Sequence, residues 1–250
     1  MTGRNLCSRC AGEQFFSLVM GRSYSPPYYP SREETMEQTH IQKSVYCDFD
    51  HPAVSGLARE LANGEPDPVM VTMATFKFTR DNIRFGFDLV QVKASETLAK
   101  GYGVCYNKSL LLVALLRSNK IPSRMAYYPV NREFMRPAMG EACQTMTETF
   151  NHCFTQVLLN GEWVATDATL DTATYQKLFK PYPVSWGIDW DGKKDMQLYT
   201  EHIAGPVVII EDIDAAIQRD VGNALPPPSE AEAFFGPANQ QMWQAVAAAS

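Results

Sequence analysis

Apolar residues recur at helical spacing over the first part of the chain and in alternation over the second. Between residues 51 and 62 they fall at Val54, Leu57, Ala58 and Leu61, a stripe that stops at Asn63-Gly64 and predicts a helix. Pro68 opens a second helix with Val69, Met73, Phe76 and Phe78 on its apolar side. A short helix follows over residues 94–100, with Ser95 as its cap and Gly101 as its end. Residues 105–119 are the most hydrophobic helix. Leu111, Leu112, Leu115 and Leu116 bury one side, most of the other side is apolar too, and Asn119 and Pro122 end it. A helix apolar nearly all round belongs at the centre of a fold.

Strand patterns dominate from there on. Residues 123–130 alternate weakly. Residues 131–149, rich in Met, Glu and Thr without a period, read as a long loop of the kind that forms lids or binding loops. Residues 151–159, Asn160-Gly161 and residues 162–166 form a hairpin with a type I′ turn. Residues 207–211 predict one more strand and 240–249 a weak terminal helix. Helices first and paired strands second point to the α+β class. The polar first 44 residues, with the turn-prone patch Ser25-Pro26-Pro27-Tyr28-Tyr29-Pro30, read as a loosely ordered extension. Residues 45–225 then form the main domain, and Pro226-Pro227-Pro228 links a C-terminal tail over 226–250.

Composition narrows the partners. The chain has 250 residues, 45% hydrophobic and 20% charged, enough for a full core. Lys plus Arg number 22 against 28 Asp plus Glu, a net charge of −6, with no basic block; this argues against a nucleic-acid partner or an anionic membrane surface. The longest apolar run, 110–116, is seven residues, against about 20 for a bilayer span. The N-terminus lacks a secretory pattern, since the apolar stretch 15–20 contains Ser17 and has no small-residue cleavage site after it. The expectation is a cytoplasmic protein with reduced thiols. Its six cysteines, at 7, 10, 47, 105, 143 and 153, lack the density of a disulfide scaffold.

The candidate chemistry lies where the central helix begins, in Lys100-Gly101-Tyr102-Gly103-Val104-Cys105. Two glycines permit a tight entry and put Cys105 at the helix N-terminus, where free N–H groups and the helix dipole stabilise a thiolate. The hairpin supplies a base. With Asn160 and Gly161 as turn residues, Phe154 faces Asp167 and His152 faces Thr169. His152 and Asp167 are then diagonal neighbours on one face, about 7–8 Å apart between backbones and within side-chain reach. Cys105, His152 and Asp167 make a possible nucleophile, base and orienter, with Asp171 a weaker alternative to Asp167.

These residues carry a resemblance. Gly101-Tyr102-Gly103-Val104-Cys105, the Leu-rich helix, and the segment from Leu116 through Arg117, Ile121, Pro122 and Ser123 to Arg124 resemble the transglutaminase-like superfamily. So do Asn151-His152-Cys153-Phe154 and the strand from Gly161-Glu162-Trp163-Val164 to Asp167-Ala168-Thr169. The resemblance covers roughly residues 46–210. It implies a papain-like α+β fold in which the central helix bearing the cysteine packs on an antiparallel sheet bearing the histidine and aspartate. It also implies that Cys105 is the nucleophile, His152 the general base and Asp167 the orienting acid. Nothing in the sequence suggests a calcium-binding carboxylate loop, and the expectation is no cofactor and no metal. Asn119-Lys120, Ser123, Cys153 and Phe154 depart from the usual family residues without removing a catalytic group.

The resulting expectation is a cysteine enzyme that attacks an amide or ester carbonyl through a thioester, acting on a peptide, a protein or a small amide, most plausibly by hydrolysis. The alternatives are transfer to an amine, of the transglutaminase or arylamine acetyltransferase type, and a non-catalytic binding module that keeps the fold. Tyr106, Gln91 and the Cys105 backbone N–H are candidates for holding an oxyanion. Cys7, Cys10, Cys47 and His51 form a weak candidate zinc set, with unligated thiols the better reading. Cys143 is a loop cysteine, Cys153 a core residue, His40 and His202 surface or satisfied histidines, and Trp186 and Trp190 core residues before they are cleft residues.

Overall fold

The computed structural model describes residues 40–220 and 226–248; the proposed N-terminal extension lies almost wholly outside the described residues. Helix α1, Pro52–Ala62, buries Val54 and Ala58 and ends at Asn63, left-handed at φ 45°. His51 heads it, its ring nitrogen Nδ1 accepting the Ala53 N–H at 3.3 Å. Helix α2, Pro68–Asn82, is capped by Asp67, whose carboxylate accepts the Val69 N–H at 2.9 Å. Its buried face differs from the apolar stripe in the sequence. Thr72, Thr75 and Thr79 are buried with Val71 and Phe76, and the threonine hydroxyls donate to the carbonyls of Pro68, Val71 and Thr75 one turn back, at 2.7–2.9 Å. A hydroxyl satisfied inside its own helix is buried at little cost.

Strand β1, Arg84–Phe85, pairs in parallel with β2, Tyr102–Gly103. Between them helix α3, Ala94–Lys100, ends at Gly101 with φ 71°. Ser95 is not its cap; it sits inside the first turn, where its N–H and hydroxyl both bond the Asp48 carboxylate, at 3.0 and 2.6 Å. A carboxylate from a distant loop therefore does the work assigned to a local hydroxyl. Helix α4, Cys105–Ser118, is buried from Tyr106 to Arg117. Leu112 and Leu116 join one core cluster with Phe76, Tyr128 and Phe154, while Leu110, Leu111 and Val113 join another with Val54, Cys153 and Ile217. Its two-sided apolarity is the mark of a helix standing between two cores.

One antiparallel sheet covers it. Strands β3 (Ser123–Asn131), β4 (Thr149–Leu159), β5 (Glu162–Thr166) and β6 (Val208–Ile210) run in the order β5-β4-β3-β6. The α+β class, with the cysteine helix packed on this sheet, is as the sequence implied. Residues 132–145 are not an irregular loop but three short helical turns, Arg132–Met135, Arg136–Met139 and Gly140–Thr145. Runs of four to six residues, mostly of 3₁₀ type, are too short to write a helical period. Helix α5, Ile213–Asp220, follows β6, and α6, Ala231–Ala248, closes the chain. The latter starts well before residue 240 despite Gly236 and Pro237. Its contacts with the body explain this. The buried Asn239 side chain bonds both the N–H and the carbonyl of Phe87, at 2.6 and 2.9 Å, and Trp243 Nε1 donates to Phe85 O at 2.8 Å.

Candidate active site

Cys105 is the first residue of α4. The approach to it is sterically fixed, because a Cβ added at Gly103 would stand 2.6 Å from Asn107 Cβ. Asn107 also secures the helix start, accepting the Val104 N–H at 3.0 Å and donating to Leu89 O at 2.8 Å. Cys105, half-buried, thus stands at the positive end of a fourteen-residue helix, where first-turn N–H groups lack intrahelical acceptors and favour negative charge.

The hairpin has the register read from its turn. Asn160 and Gly161 take φ of 52° and 84°, and the ladder runs from Leu159–Glu162 to Thr155–Thr166. Asp167 follows the last pair and reaches back, its Oδ2 lying 2.6 Å from His152 Nε2. The second carboxylate oxygen accepts the Thr169 N–H at 3.0 Å, which fixes the group's orientation. Both side chains are buried. With Nε2 engaged, Nδ1 is the ring nitrogen left for Cys105, which hydrogen-bonds the imidazole. The structure therefore brings Cys105, His152 and Asp167 together.

Burial alone would push the His152 pKa down. The Asp167 carboxylate, its hydrogen bond and the Cys105 sulfur outweigh that, and the imidazole is raised from 6.5 to about 10. An imidazolium is thus the favoured state at neutral pH. Asp171, the weaker alternative, is occupied elsewhere. It accepts the Phe85 N–H at 2.9 Å and both the N–H and the hydroxyl of Thr174 at 2.8 Å, tying β1 to the turn after β5.

Three residues about the site escaped the sequence reading. Tyr128, opposite His152 in the β3–β4 register, packs on the imidazole at 5.3 Å and donates its hydroxyl to Leu198 O at 2.7 Å. Pairing the two strands from their patterns would have found it. Tyr199 meets the imidazole edge-on at 4.8 Å and holds a left-handed φ of 56°. Nothing local announces it. Lys108, one turn after Cys105, is wholly buried, its ammonium donating to Arg80 O at 3.0 Å and to Ile83 O. Burial pulls its pKa down to about 7, against the upward pull of Asp171, Asp81 and Asp167.

A cavity of about 290 Å³ opens onto Cys105 and His152, and Tyr106 lines it. Gln91 belongs instead to a separate cavity beside Glu96 and Ala231. Cys143 and Cys153 are buried in the two core clusters. Cys47 is buried as well, its thiol pushed up to about 11 by desolvation, and His51 caps α1. Cys7 and Cys10 lie outside the described residues. No group of three or more His, Cys, Asp or Glu residues among the described ones is placed to hold a metal ion. His40 is buried edge-on against the Trp163 ring at 4.9 Å. Trp186 and Trp190 are buried, their indole N–H groups donating to Glu201 at 2.9 Å and to Lys194 O at 2.8 Å. No helix among the described residues is long and apolar enough to cross a membrane.

A cysteine at the head of a buried helix thus faces a histidine and an aspartate from an antiparallel hairpin within an α+β architecture. Residues 55–168 match the family model of the transglutaminase-like superfamily core. No curated protein gives a significant sequence match. Among solved structures, the chain is similar to a candidate cysteine protease from Cytophaga hutchinsonii, at 20% identity and TM-score 0.41 over 52% of this chain. It is also similar to the transglutaminase of red sea bream, at 13% identity and TM-score 0.41 over 56% of this chain. The aligned regions cover 40% and 32% of those two proteins' lengths.

Proposed function

We propose that the chain is a cysteine enzyme that takes the acyl group of an amide or ester as a thioester on Cys105 and hands it to water. One observation carries this reading: His152 is bound through Nε2 to the buried Asp167 carboxylate at 2.6 Å, while its remaining ring nitrogen serves Cys105 at the start of α4. The family match spans all three residues, which supports the same reading.

In the proposed reaction the Cys105 thiolate attacks the carbonyl carbon, and the charge on oxygen falls toward the first N–H groups of α4. The bond to the leaving amine breaks as His152 Nδ1 gives that amine its proton, leaving a thioester and a neutral imidazole. Water then adds to the thioester, losing a proton to Nδ1. The carbon–sulfur bond breaks, a carboxylic acid leaves and the thiolate–imidazolium pair is restored. Asp167 holds the ring and stabilises its cationic form throughout. Amine-directed transfer differs only in the second nucleophile.

The test is the pH dependence of Cys105 alkylation by iodoacetamide, located by peptide mass spectrometry, in wild type and His152→Ala. The expected result is a wild-type rate that stays high well below pH 8 and is lost in His152→Ala. A Cys105 that alkylates like a free thiol of pKa about 8.5 overturns the enzymatic reading and leaves a binding module.

A further inference from the structure

The cavity above Cys105 is built by parts of the chain that have no role in the attacking group itself. Phe134 and Met146 come from the segment of short turns, Phe85 and Phe87 from the stretch leading out of β1, Phe150 from β4 and Phe235 from α6. Phe235 also lies beyond the residues that match the family. Away from Cys105 and His152, charge is nearly absent from these walls. The one carboxylate among the described wall residues, Asp88, is bound to the Lys100 ammonium at 2.7 Å and to the Leu89 N–H at 2.9 Å. At about 290 Å³ the space lies at the lower end of ligand pockets, which run from about 300 to 1,000 Å³. That is ample for one aromatic or branched side chain, since a cavity of about 150 Å³ already accommodates a benzene ring.

The walls are also held in place before any ligand arrives. Asn239 brackets the Phe87 backbone with two hydrogen bonds, Trp243 bonds Phe85 O, and the Arg84 guanidinium lies 4.5 Å from the Trp243 ring. Gly86 lets α6 lie flat on this backbone, since a Cβ there would stand 3.0 Å from the Trp243 ring. The C-terminal helix thus acts as a clamp that sets one wall of the cavity.

We propose that this cavity receives an aromatic or branched apolar side chain borne on the acyl part of the substrate, beside the carbonyl that Cys105 attacks; this rests on the enzymatic reading of Cys105. An apolar group gains by leaving water for the phenylalanine rings. A charged or amide-bearing side chain would lose its hydration there, against a lining that is mostly apolar and whose buried polar groups include the unpartnered hydroxyls of Thr169 and Tyr199.

The experiment compares the rates at which Cys105 is alkylated by N-acetyl-aminoacyl chloromethyl ketones bearing Phe, Leu, Ala or Glu side chains, with iodoacetamide as the probe without a side chain. Phe and Leu probes are expected to react about 10–100-fold faster than Ala, and Glu slowest. Phe235→Ala should shrink that preference, and Met146→Glu, on a partly exposed turn, should abolish it. For each variant the probe rates are read relative to that variant's own iodoacetamide rate, so that a change in thiol reactivity is separated from a change in side-chain preference. Equal rates for all four probes, or a preference for Glu, overturn the apolar assignment while a fast, His152-dependent iodoacetamide reaction leaves the nucleophile in place. A slow, His152-independent iodoacetamide reaction overturns both readings.

Discussion

Two buried bases flank the site, and their surroundings drive them in opposite directions. On the sheet side, His152 is buried against a carboxylate at 2.6 Å, and its pKa rises to about 10. On the helix side, Lys108 is buried to the same degree, but its hydrogen bonds go to the carbonyls of Arg80 and Ile83, and its pKa falls to about 7. Burial penalises the cation in both places. A carbonyl dipole at the end of α2 returns part of that cost, whereas a full negative charge in contact returns more than all of it. The lesson is that burial sets the size of the electrostatic stake and the contact partner sets its sign.

Breaking the sheet-side pair should have the largest effect. Asp167→Asn keeps the shape but removes the charge, so the His152 pKa should fall and turnover should drop by about 10³–10⁴. The check is the pH profile of Cys105 alkylation, which should lose its low-pH plateau. On the helix side, Lys108→Ala leaves a cavity and two carbonyls at the end of α2 without their donor. We expect a loss of about 3–5 kcal/mol in urea unfolding.

The pH dependence of stability sharpens the contrast. His152 has a folded pKa above its unfolded value of 6.5, so its contribution is complete below about pH 6.5 and is lost as pH rises toward 10. Lys108 has a folded pKa below its unfolded value of 10.5, so its cost is complete below about pH 7 and is relieved as pH rises toward 10.5. Between pH 7 and 10 the two nearly cancel in the wild type. Lys108→Met should therefore lose stability with rising pH across that window, and His152→Gln should gain it, each by up to about 1.4 kcal/mol per pH unit relative to wild type. Parallel profiles for both variants would remove the opposition between the two sides.

Asn239→Ala reaches the site from further away. It strips the N–H and carbonyl of Phe87 of their partners and should cost about 2–3 kcal/mol, read by thermal unfolding. The smallest effect belongs outside both regions. Lys120 holds a left-handed φ of 61°, a conformation that glycine adopts without steric cost. Lys120→Gly relieves that strain while raising unfolded-chain entropy, for a net gain of at most about 1 kcal/mol.

Much of this arrangement could be read from local signals. Asn160-Gly161 set the hairpin register, and with it the meeting of His152 and Asp167, because a two-residue turn leaves one pairing. The end of α3 at Gly101 and the start of α4 at Cys105 were equally legible, from the left-handed glycine and the tight entry at Gly103. The cavity walls were not. Phe134 and Met146 sit on turns too short to show a period, and Phe235 precedes a Gly-Pro pair that locally argues against helix. The burial of the α2 threonines and of Lys108 had no signal in the sequence, because their partners are backbone carbonyls invisible to residue-type patterns.

By itself, then, the sequence determined the α+β class, the central helix with Cys105 at its head, and the hairpin on which His152 meets Asp167. Each of these follows from periodicity, turn chemistry or helix-end geometry over at most a few tens of residues, whereas the approach of Cys105 to that pair was implied only by the family resemblance. Only the tertiary structure decided what surrounds them: Tyr199 against the imidazole, α6 clamped on Phe85 and Phe87, and carbonyls rather than a carboxylate as the hydrogen-bond partners of Lys108. Those contacts join residues up to 158 positions apart. They are fixed by which surfaces pack best together, and no local pattern carries that information.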